Sequence, residues 1–421
     1  MTNTATNARS GLALVLTGTV VSAASSFIVL LIVAPALGAA GYKQFSVYWS
    51  ALFMVVAILF GVQQESTRGV AAARGIAAPE KTATAQHKTS VLRFALLIAV
   101  ALLVLVGATS PLWSEALFGT GTATWGVPLA IAVAAYAIVA ATNGILAGTS
   151  QWAAFALLAV IDGVLRLVLV GLALGLHLGG TALAWAVAIP FPVSLAVVFF
   201  IKARTIRANT LVAGTAGSLA ANMSRTLAAS VAAAILINGF PVFMSLFGRT
   251  DDDTLGALNL AVILTRAPIL VPINALQSML IARLSGATAG RNRLFALVLA
   301  VIATLTVLVA GVVWLWGGPL LAAFFGEDFL LSASTLAGLV AAAGCLGVLT
   351  ATGAAALALE RHSFFAAGWI VAAAFALAIL AFLPASLETR IVLGLVVGPL
   401  LGAVVHLAAL RTRNPEQQRG E

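Results

Sequence analysis

Residues 294–316 read LFALVLAVIATLTVLVAGVVWLW and contain no charged side chain. A helix of about 20 apolar residues crosses the hydrocarbon core of a bilayer, which is about 30 Å thick. This stretch therefore predicts a transmembrane helix. The rest of the chain has the same character, because 62% of its 421 residues are hydrophobic and only 8% are charged. Soluble domains carry about 25% charged residues, so the composition predicts a polytopic membrane protein with little room for a soluble domain.

Similar apolar stretches recur along the chain and predict an all-α protein of about 12 transmembrane helices. The first six helices would form an N-terminal lobe over residues 1–205, and the last six a C-terminal lobe over residues 206–421. Pro35 is expected to end the first helix on its outer side. The predicted spans lie near residues 12–34, 44–64, 91–110, 125–147, 153–174, 182–201, 227–247, 255–278, 294–316, 335–359, 364–383 and 390–410.

The basic residues predict which loops face the cytoplasm. Lys and Arg in short loops resist translocation and stay on the cytoplasmic side. With the N-terminus inside, most of the 22 basic residues fall in cytoplasmic segments, and only Lys43, Arg249 and Arg390 fall in the opposite loops. The pattern predicts that both termini are cytoplasmic. It also explains the net charge of +9 by topology and by contact with anionic membrane lipids, with no need for nucleic acid as a partner.

The two halves of the chain share one short pattern. Residues 111–119 read PLWSEALFG and residues 319–326 read PLLAAFFG. Each follows the third span of its half, where the chain is expected to leave the membrane. Because six spans per half is an even number, the two repeats would be parallel, with a substrate site between the lobes. This architecture is typical of transporters.

Residue usage argues against several kinds of catalytic and metal site. Cys345 is the single cysteine, the four histidines share no ligand spacing, and no Walker-type phosphate loop is present. The acidic run Asp251–Asp253 lies in a short loop with no domain to hold a nucleotide, and is expected to be a solvated outside turn. The sequence therefore predicts a protein that is not an enzyme and that uses no cofactor or metal.

Ionisable residues inside the predicted spans are the main candidates for a transport site, since a charge at the bilayer centre costs about 2.5–3.5 kcal/mol. Asp162 and Arg166 lie four residues apart on the fifth span and are expected to pair; the pair either contacts cargo or only holds helices together. Arg266 lies deep in the eighth span, with no acidic residue within reach on its own helix. Its guanidinium matches phosphate oxygens. We expect Arg266 to bind an anionic cargo in a cavity, and a structural bond to backbone carbonyls is the alternative.

Four further polar residues complete the candidate substrate-binding set. Glu65 and Arg68 end the second span, and Arg225 begins the seventh span at the same predicted cytoplasmic depth. They are candidates for a ring that receives a pyrophosphate, and the alternative is a solvated pair with arginines that reach lipid headgroups. Asn238 lies inside the seventh span. It either bonds sugar hydroxyls or joins neighbouring helices.

Three short motifs resemble a known family: LGAAGYKQFS at residues 37–46, FGVQQE at residues 60–65 with Arg68, and FFGEDF at residues 324–329. They are similar to segments of the polysaccharide repeat-unit (oligosaccharide-lipid) flippases of the multidrug/oligosaccharidyl-lipid/polysaccharide exporter (MOP) superfamily. The resemblance implies a MATE-like pair of six-helix lobes in the bacterial cytoplasmic (inner) membrane, alternating between inward-open and outward-open forms. It implies a cargo oligosaccharide linked through pyrophosphate to a polyprenyl lipid. Glycosyltransferases and a polymerase of the same pathway are the implied protein partners.

The sequence thus predicts a secondary transporter that flips a polyprenyl-pyrophosphate-linked oligosaccharide from the inner to the outer leaflet. A cation-coupled multidrug exporter of the same superfamily is the alternative, and it would need a cavity rich in carboxylates. The predicted spans instead contain two arginines and one aspartate. A membrane-embedded glycosyltransferase or polymerase is a third hypothesis, and the short outer loops disfavour it.

Overall fold

The computed structural model describes residues 2–75, 88–213, 217, 230–248, 250–286 and 291–411, with side chains described for residues 11, 13–75, 88–213, 217, 230–248, 250–273 and 293–408. The described chain is almost entirely helical. In chain order its elements are α1 (Thr2–Ala73), β1 (Lys88–Ser90), α2 (Val91–Phe118), α3 (Gly126–Gly148), α4 (Trp152–Gly175), α5 (Gly179–Ala188), α6 (Pro190–Ala208), β2 (Leu211–Ala213), a π-helical turn (Ile235–Gly239), α7 (Phe240–Phe247), α8 (Asp252–Gly286), α9 (Arg291–Phe325), α10 (Ala333–Ala358), α11 (His362–Phe382) and α12 (Leu387–Arg411).

Eleven helical segments within the described residues are long and apolar enough to cross a membrane. The first of them, Ala13–Ala73, contains 61 residues and would extend about 90 Å as one straight helix. A bilayer core is only about 30 Å thick. This segment is broken at Gly38, whose φ of 66° and ψ of 176° are not helical, and the chain on each side of the break is long enough to span. The predicted all-α polytopic membrane protein is confirmed.

The expectation that Pro35 ends the first helix is wrong. Pro35 lies inside α1, and the chain leaves helical geometry only at Gly38. A proline removes one backbone donor from a helix, and neighbouring groups in a membrane protein compensate for that loss. A positive φ, in contrast, favours a residue without a Cβ atom. The glycine therefore sets the position of the break.

The chain folds into two compact units. Unit 1 comprises Met1–Leu37 and Gln44–Ser230, and unit 2 comprises Gly38–Lys43 and Val231–Glu421. The short segment from Gly38 to Lys43 thus packs with unit 2, although the helical stretches before and after it belong to unit 1.

In unit 1, α3 is the central helix. Buried residues make up 72% of the most apolar window of the segment that contains α3, compared with 17% for α2. The side chains of α2 that face away from the core, such as Leu97 and Leu105, are more than half exposed. In a bilayer these side chains face lipid.

In unit 2, α10 is central and α9 is peripheral. Buried residues make up 83% of the most apolar window of α10 but only 6% of that of α9. A buried histidine joins α10 to its neighbours: His406 of α12 lies 3.1 Å from Thr352 Oγ1 of α10 and 3.0 Å from the Phe365 carbonyl oxygen of α11. This role of His406 was not predictable from the sequence, because a lone histidine in an apolar run has no local signature.

The two stretches that predict an internal repeat end their helices in the same way. Gly119 closes α2 with φ 116° and ψ 172°, and Gly326 closes α9 with φ 106° and ψ 161°. In both cases the glycine N–H donates to the carbonyl four residues earlier, at 3.0 Å for Glu115 and 2.9 Å for Ala322. The pattern therefore forms the last turns of a long helix and its cap, rather than a segment after the helix.

A small antiparallel sheet supports the predicted sidedness of unit 1. β1 pairs with β2, with Thr89 opposite Val212. The segment before α2 and the segment after α6 therefore lie on the same side of the membrane, and the charge pattern assigns both to the cytoplasm.

Thiol labelling tests this orientation. In a Cys345→Ser background, we expect an impermeant thiol reagent applied to intact cells to label Leu330→Cys and not Thr84→Cys. Leu330 is 54% exposed in the predicted outer loop between α9 and α10. Labelling of both after the membrane is permeabilised is the control. Labelling of Thr84→Cys in intact cells would overturn the topology.

Candidate functional site

Arg166 is the most deeply enclosed charge of unit 1. It lies on α4, its side chain is 1% exposed, and its Nη2 atom lies 2.6 Å from Asp162 Oδ1. Its Nε atom donates to the Val187 carbonyl oxygen at 3.5 Å, close to the point where α5 ends and the proline-containing start of α6 begins. The expected ion pair is present. The Nε bond to the Val187 carbonyl joins α4 to the end of α5.

Aromatic rings surround the Arg166 guanidinium. Its central carbon lies 4.9 Å from the ring centre of Phe191, 5.1 Å from that of Phe53 and 5.8 Å from that of Trp49. A cation above an aromatic face is attracted by the negative charge of that face, and the attraction is strongest when water is excluded. The negative partner Asp162 and the three rings therefore offset the cost of burying this charge.

Arg266 is the buried charge of unit 2, and its environment is different. It lies on α8, is 8% exposed, and has no carboxylate partner within the described residues. Its Nη1 atom donates to the Ile237 carbonyl oxygen at 2.9 Å. Its Nη2 atom is buried and has no hydrogen-bond partner in the part of the chain that the structure describes.

The local sequence explains why the Ile237 carbonyl is available to Arg266. In an α-helix this oxygen accepts from the N–H four residues later, and that residue is Pro241, which has no N–H. The backbone widens into the π-helical turn Ile235–Gly239 just before this proline. π-turns of this kind occur frequently at functional sites.

Arg266 had two expected roles, binding an anionic cargo and bonding to a backbone carbonyl, and these roles concern different nitrogen atoms of its guanidinium. Nη1 makes the structural bond to a carbonyl. Nη2 retains unused N–H donors in a place from which water is largely excluded. A buried donor without a partner costs about 1–3 kcal/mol, and more when it is charged, so this nitrogen favours an anionic ligand.

Two asparagines belong to the segments that surround Arg266: Asn238 lies in the π-turn, and Asn259 lies on the same helix as Arg266. Asn238 follows Ile237 directly and is half-buried. Its amide therefore remains a candidate ligand for sugar hydroxyls. Asn259 lies on α8 two turns before Arg266, is fully buried, and was not among the residues that the sequence selected.

Glu65 and Arg68, two of the three residues of the predicted ring, lie within the described part of the chain. Arg68 donates to both carboxylate oxygens of Glu65, from Nε at 3.1 Å and from Nη2 at 2.5 Å. The Glu65 side chain is 9% exposed, whereas that of Arg68 is 46% exposed. Arg225 lies outside the described residues. Glu65 and Arg68 therefore form a bidentate ion pair whose guanidinium is exposed. This geometry is compatible with a solvated surface pair and equally with a group that receives a pyrophosphate.

The acidic run in the outer loop is not only a solvated turn. Asp252 lies 3.2 Å from Lys43 Nζ, and Asp253 accepts the Ala40 N–H at 2.9 Å. Asp251 caps α8 by accepting the Thr254 N–H at 2.9 Å. This backbone hydrogen bond lowers the pKa of the Asp251 carboxyl. Lys43 and the acidic run carry opposite charges and lie in loops predicted to be on the same side, so their pairing had a signal in the sequence.

Two of the motifs that resemble the flippases meet in this region of unit 2. The ring of Tyr42, from residues 37–46, packs edge-on against Phe329, from residues 324–329, with 6.0 Å between ring centres. Tyr42 is fully buried. These motif residues therefore have a packing role at the predicted outer side, distant in sequence from the buried arginines.

Comparisons with known proteins place these features in context. No protein-family model matches the chain. It is 34% identical over 409 residues to the uncharacterised protein Rv1510 of Mycobacterium tuberculosis, covering 96% of this chain and 93% of that protein. It is 33% identical over 397 residues to the uncharacterised protein Mb3654 of Mycobacterium bovis, covering 94% and 90% of the two chains.

Solved structures share the fold at low sequence identity. The inward-facing form of a multidrug resistance MATE family transporter of the MOP superfamily superimposes with a TM-score of 0.69 at 14% identity, covering 93% of this chain and 96% of that one. The bent form of the Vibrio cholerae MATE transporter VcmN gives a TM-score of 0.59 at 15% identity and covers 98% of each chain. The chain therefore belongs to the same family as the uncharacterised mycobacterial proteins Rv1510 and Mb3654, and it has the fold of the MATE transporters.

Proposed function

We propose that this protein is a transporter that flips a polyprenyl-pyrophosphate-linked oligosaccharide from the inner to the outer leaflet of a bacterial cytoplasmic membrane by alternating access. The observation that carries the proposal is the buried Nη2 atom of Arg266, which has no partner within the described residues. The MATE fold supports a transport role in general, and the charges of the spans are the basis for the choice of cargo.

The chemistry of Arg266 favours a phosphate-bearing cargo. Guanidinium groups bind phosphate through parallel N–H···O bonds, and these charge-assisted bonds are roughly twice as strong as neutral ones. The bond from Nη1 to Ile237 fixes the plane of the group before cargo arrives. A fixed donor loses less conformational entropy when it binds. The half-buried Asn238 amide beside Ile237 supplies a neutral donor and acceptor suited to sugar hydroxyls.

The alternative function, a cation-coupled multidrug exporter, needs a carboxylate that can bind a cation. Asp162 is the single carboxylate in the interior of the described spans, and Arg166 already occupies it at 2.6 Å. Removing Arg166 from this position would leave a buried charge unpaired, which costs about 3–5 kcal/mol. The MATE fold is compatible with drug export, but this charge arrangement favours an anionic cargo.

The membrane potential supplies a driving force for such a cargo. With the cell interior negative, moving one negative charge outward gains about 2.3 kcal/mol for each 100 mV. Outward flipping of a pyrophosphate-linked lipid moves negative charge out of the cell, and this is the direction that an interior-negative potential favours. No bound cation is required by this scheme.

Flipping of a fluorescent polyprenyl-pyrophosphate oligosaccharide by the purified protein in liposomes tests the proposal. We expect transport toward the positive side to follow an imposed potential and to be unchanged when Na⁺ is replaced by choline or when a pH gradient is collapsed. Protein-free liposomes are the control. Potential-independent transport of the lipid that requires Na⁺ or a proton gradient would contradict the potential-driven scheme, and transport of cationic dyes in place of the lipid would favour the multidrug alternative.

A further inference from the structure

Asn143 lies near the end of α3 that the charge pattern assigns to the cytoplasm, five residues before that helix ends at Gly148. The residue is half-buried, but its side-chain oxygen Oδ1 is enclosed and has no hydrogen-bond partner in the described part of the chain. Asparagines between membrane helices commonly hold those helices together through hydrogen bonds. The Oδ1 atom of Asn143 makes no such bond, so helix packing alone does not explain this residue.

The same part of α3 lies directly against the second half of α1. A Cβ atom on Gly144 would collide with the side chain of Ser66, so the missing side chain allows the two helices to approach closely. This contact sets the depth of Asn143 in the membrane, because Asn143 and Gly144 are neighbours. Asn143 therefore lies at the level of the ion pair between Glu65 and Arg68, whose guanidinium is exposed.

Two turns deeper in the membrane, the same face of α3 carries Tyr136. Residues seven apart on a helix differ in direction by only about 20°. The Tyr136 ring packs edge-on against Phe191, with 5.2 Å between ring centres, and the Phe191 ring lies 4.9 Å from the Arg166 guanidinium. Asn143 thus lies on the face of α3 that is directed to the interior of unit 1. In depth it lies between the exposed Arg68 and the enclosed Arg166.

The polarity of this enclosed atom restricts what it can bind. An amide oxygen accepts hydrogen bonds and cannot donate them, so its ligand must supply an O–H or N–H group. The pyrophosphate of a lipid-linked oligosaccharide is esterified at both ends and ionised at its remaining oxygens, and the polyprenyl tail is a hydrocarbon. Neither part has a hydrogen to donate. The sugar hydroxyls are the donors of such a molecule.

We propose that Asn143 accepts a hydrogen bond from a sugar hydroxyl of the cargo and thereby distinguishes the glycosylated carrier lipid from the same lipid without sugar; this inference rests on the proposed function. Arg266 cannot make that distinction, because both lipids carry a pyrophosphate. A site that is built to bond a hydroxyl disfavours a ligand that lacks the hydroxyl, since its own buried polar group then stays unpaired. Asn143 is a specificity residue for the sugar.

Two lipids that differ only in the sugar test this role. Wild-type protein and Asn143→Leu in nanodiscs are titrated with a long-chain polyprenyl pyrophosphate and with the same lipid carrying glucose, galactose or N-acetylglucosamine. Leucine is close to asparagine in size but has no amide. For the glycosylated lipid that the wild type prefers, we expect Asn143→Leu to weaken binding about tenfold, which corresponds to about 1.4 kcal/mol. We expect binding of the lipid without sugar to stay unchanged.

Two further variants serve as controls. Asn143→Asp keeps acceptor oxygens at this position, and we expect it to retain the preference for the glycosylated lipid. Thr142→Val removes the neighbouring hydroxyl, which also has no partner within the described residues. The Thr142 side chain is fully buried, so we expect this variant to keep both affinities. The readout is a ratio of two affinities of one protein preparation, and a lower yield of a variant does not alter it.

Three results would overturn the sugar site. The first is a wild-type protein that binds all these lipids equally. The second is Asn143→Leu that weakens both kinds of lipid to the same extent or weakens neither. The third is Asn143→Asp that loses the preference as completely as Asn143→Leu, because the enclosed end of the side chain would then not act as an acceptor.

The same titrations separate this inference from the proposed function. If Asn143→Leu keeps the preference for sugar while Arg266→Ala weakens binding of both kinds of lipid, only the sugar site is wrong. If Asn143→Leu loses the preference while Arg266→Ala binds both kinds of lipid normally, the pyrophosphate role of Arg266 is wrong and the sugar site remains.

Discussion

Arg266→Ala is expected to reduce export of the lipid-linked oligosaccharide strongly while leaving the protein at normal abundance in the membrane. The change removes the buried Nη2 donor that has no partner within the described residues. A hydrogen bond to a charged group contributes about 1.5–3 kcal/mol, so cargo affinity should fall roughly 10- to 100-fold. Arg266→Lys keeps the charge but loses the planar fork, and should retain part of the activity. Transport of a labelled lipid-linked sugar in liposomes measures both variants.

The structural bond of Arg266 requires a matched control, because the alanine variant also frees the Ile237 carbonyl. Arg390→Ala is suitable: Arg390 donates from Nη1 to the Leu380 carbonyl oxygen at 2.9 Å, in the predicted outer region of unit 2. We expect this variant to lose a similar carbonyl bond and to keep transport. Equal losses of membrane abundance in Arg266→Ala and Arg266→Lys would assign Arg266 a purely structural role.

The second large effect concerns the ion pair of Asp162 and Arg166. Asp162→Asn is expected to destabilise the protein by about 3–5 kcal/mol, because it leaves a buried arginine without its counter-ion. Adding Arg166→Met should recover most of this loss, since methionine packs well against the surrounding rings of Trp49, Phe53 and Phe191. The midpoint of thermal unfolding in detergent measures the effect.

The double variant also decides between the two interpretations of the pair. Arg166 is almost fully enclosed, so we expect Asp162→Asn with Arg166→Met to be stable and to transport. A double variant that unfolds at the wild-type temperature and does not transport would instead make the pair part of the transport site. If the single Asp162→Asn variant is as stable as the wild type, the assumed cost of the unpaired charge is wrong.

Local sequence patterns were sufficient for the spans and for the Asp162–Arg166 pair. Hydrophobic length predicts a helix such as 294–316 directly, because crossing the bilayer requires a fixed number of apolar residues. The ion pair follows from spacing alone, since residues four apart lie on the same face of a helix. Neither prediction depends on how distant parts of the chain meet.

The partner of Arg266 could not be predicted in this way. Ile237 lies 29 residues earlier, and the bond depends on how the π-helical turn Ile235–Gly239 packs against α8. One local signal exists: Pro241 leaves the Ile237 carbonyl without its helical donor, so a free acceptor was predictable although its donor was not. Recognition that one guanidinium nitrogen is bonded and the other is not requires coordinates.

Contacts between the outer loops also could not be predicted from local sequence. The pairing of Lys43 with Asp252 joins segments about two hundred residues apart, and helix-length arguments contain no information about such contacts. The positive-inside rule assigned both loops to the same side. It could not indicate that they touch.

The most direct test of the account is the binding of lipids that differ only at the head. Purified protein in nanodiscs is titrated with a polyprenyl pyrophosphate, the matching polyprenyl monophosphate and the neutral polyprenol, and the dissociation constants are compared with those of Arg266→Lys. We predict that the pyrophosphate binds wild-type protein most tightly and the polyprenol most weakly, and that Arg266→Lys narrows this difference. Equal affinity of wild-type protein for the pyrophosphate and the neutral polyprenol would contradict the assignment of Arg266 as the pyrophosphate-binding residue.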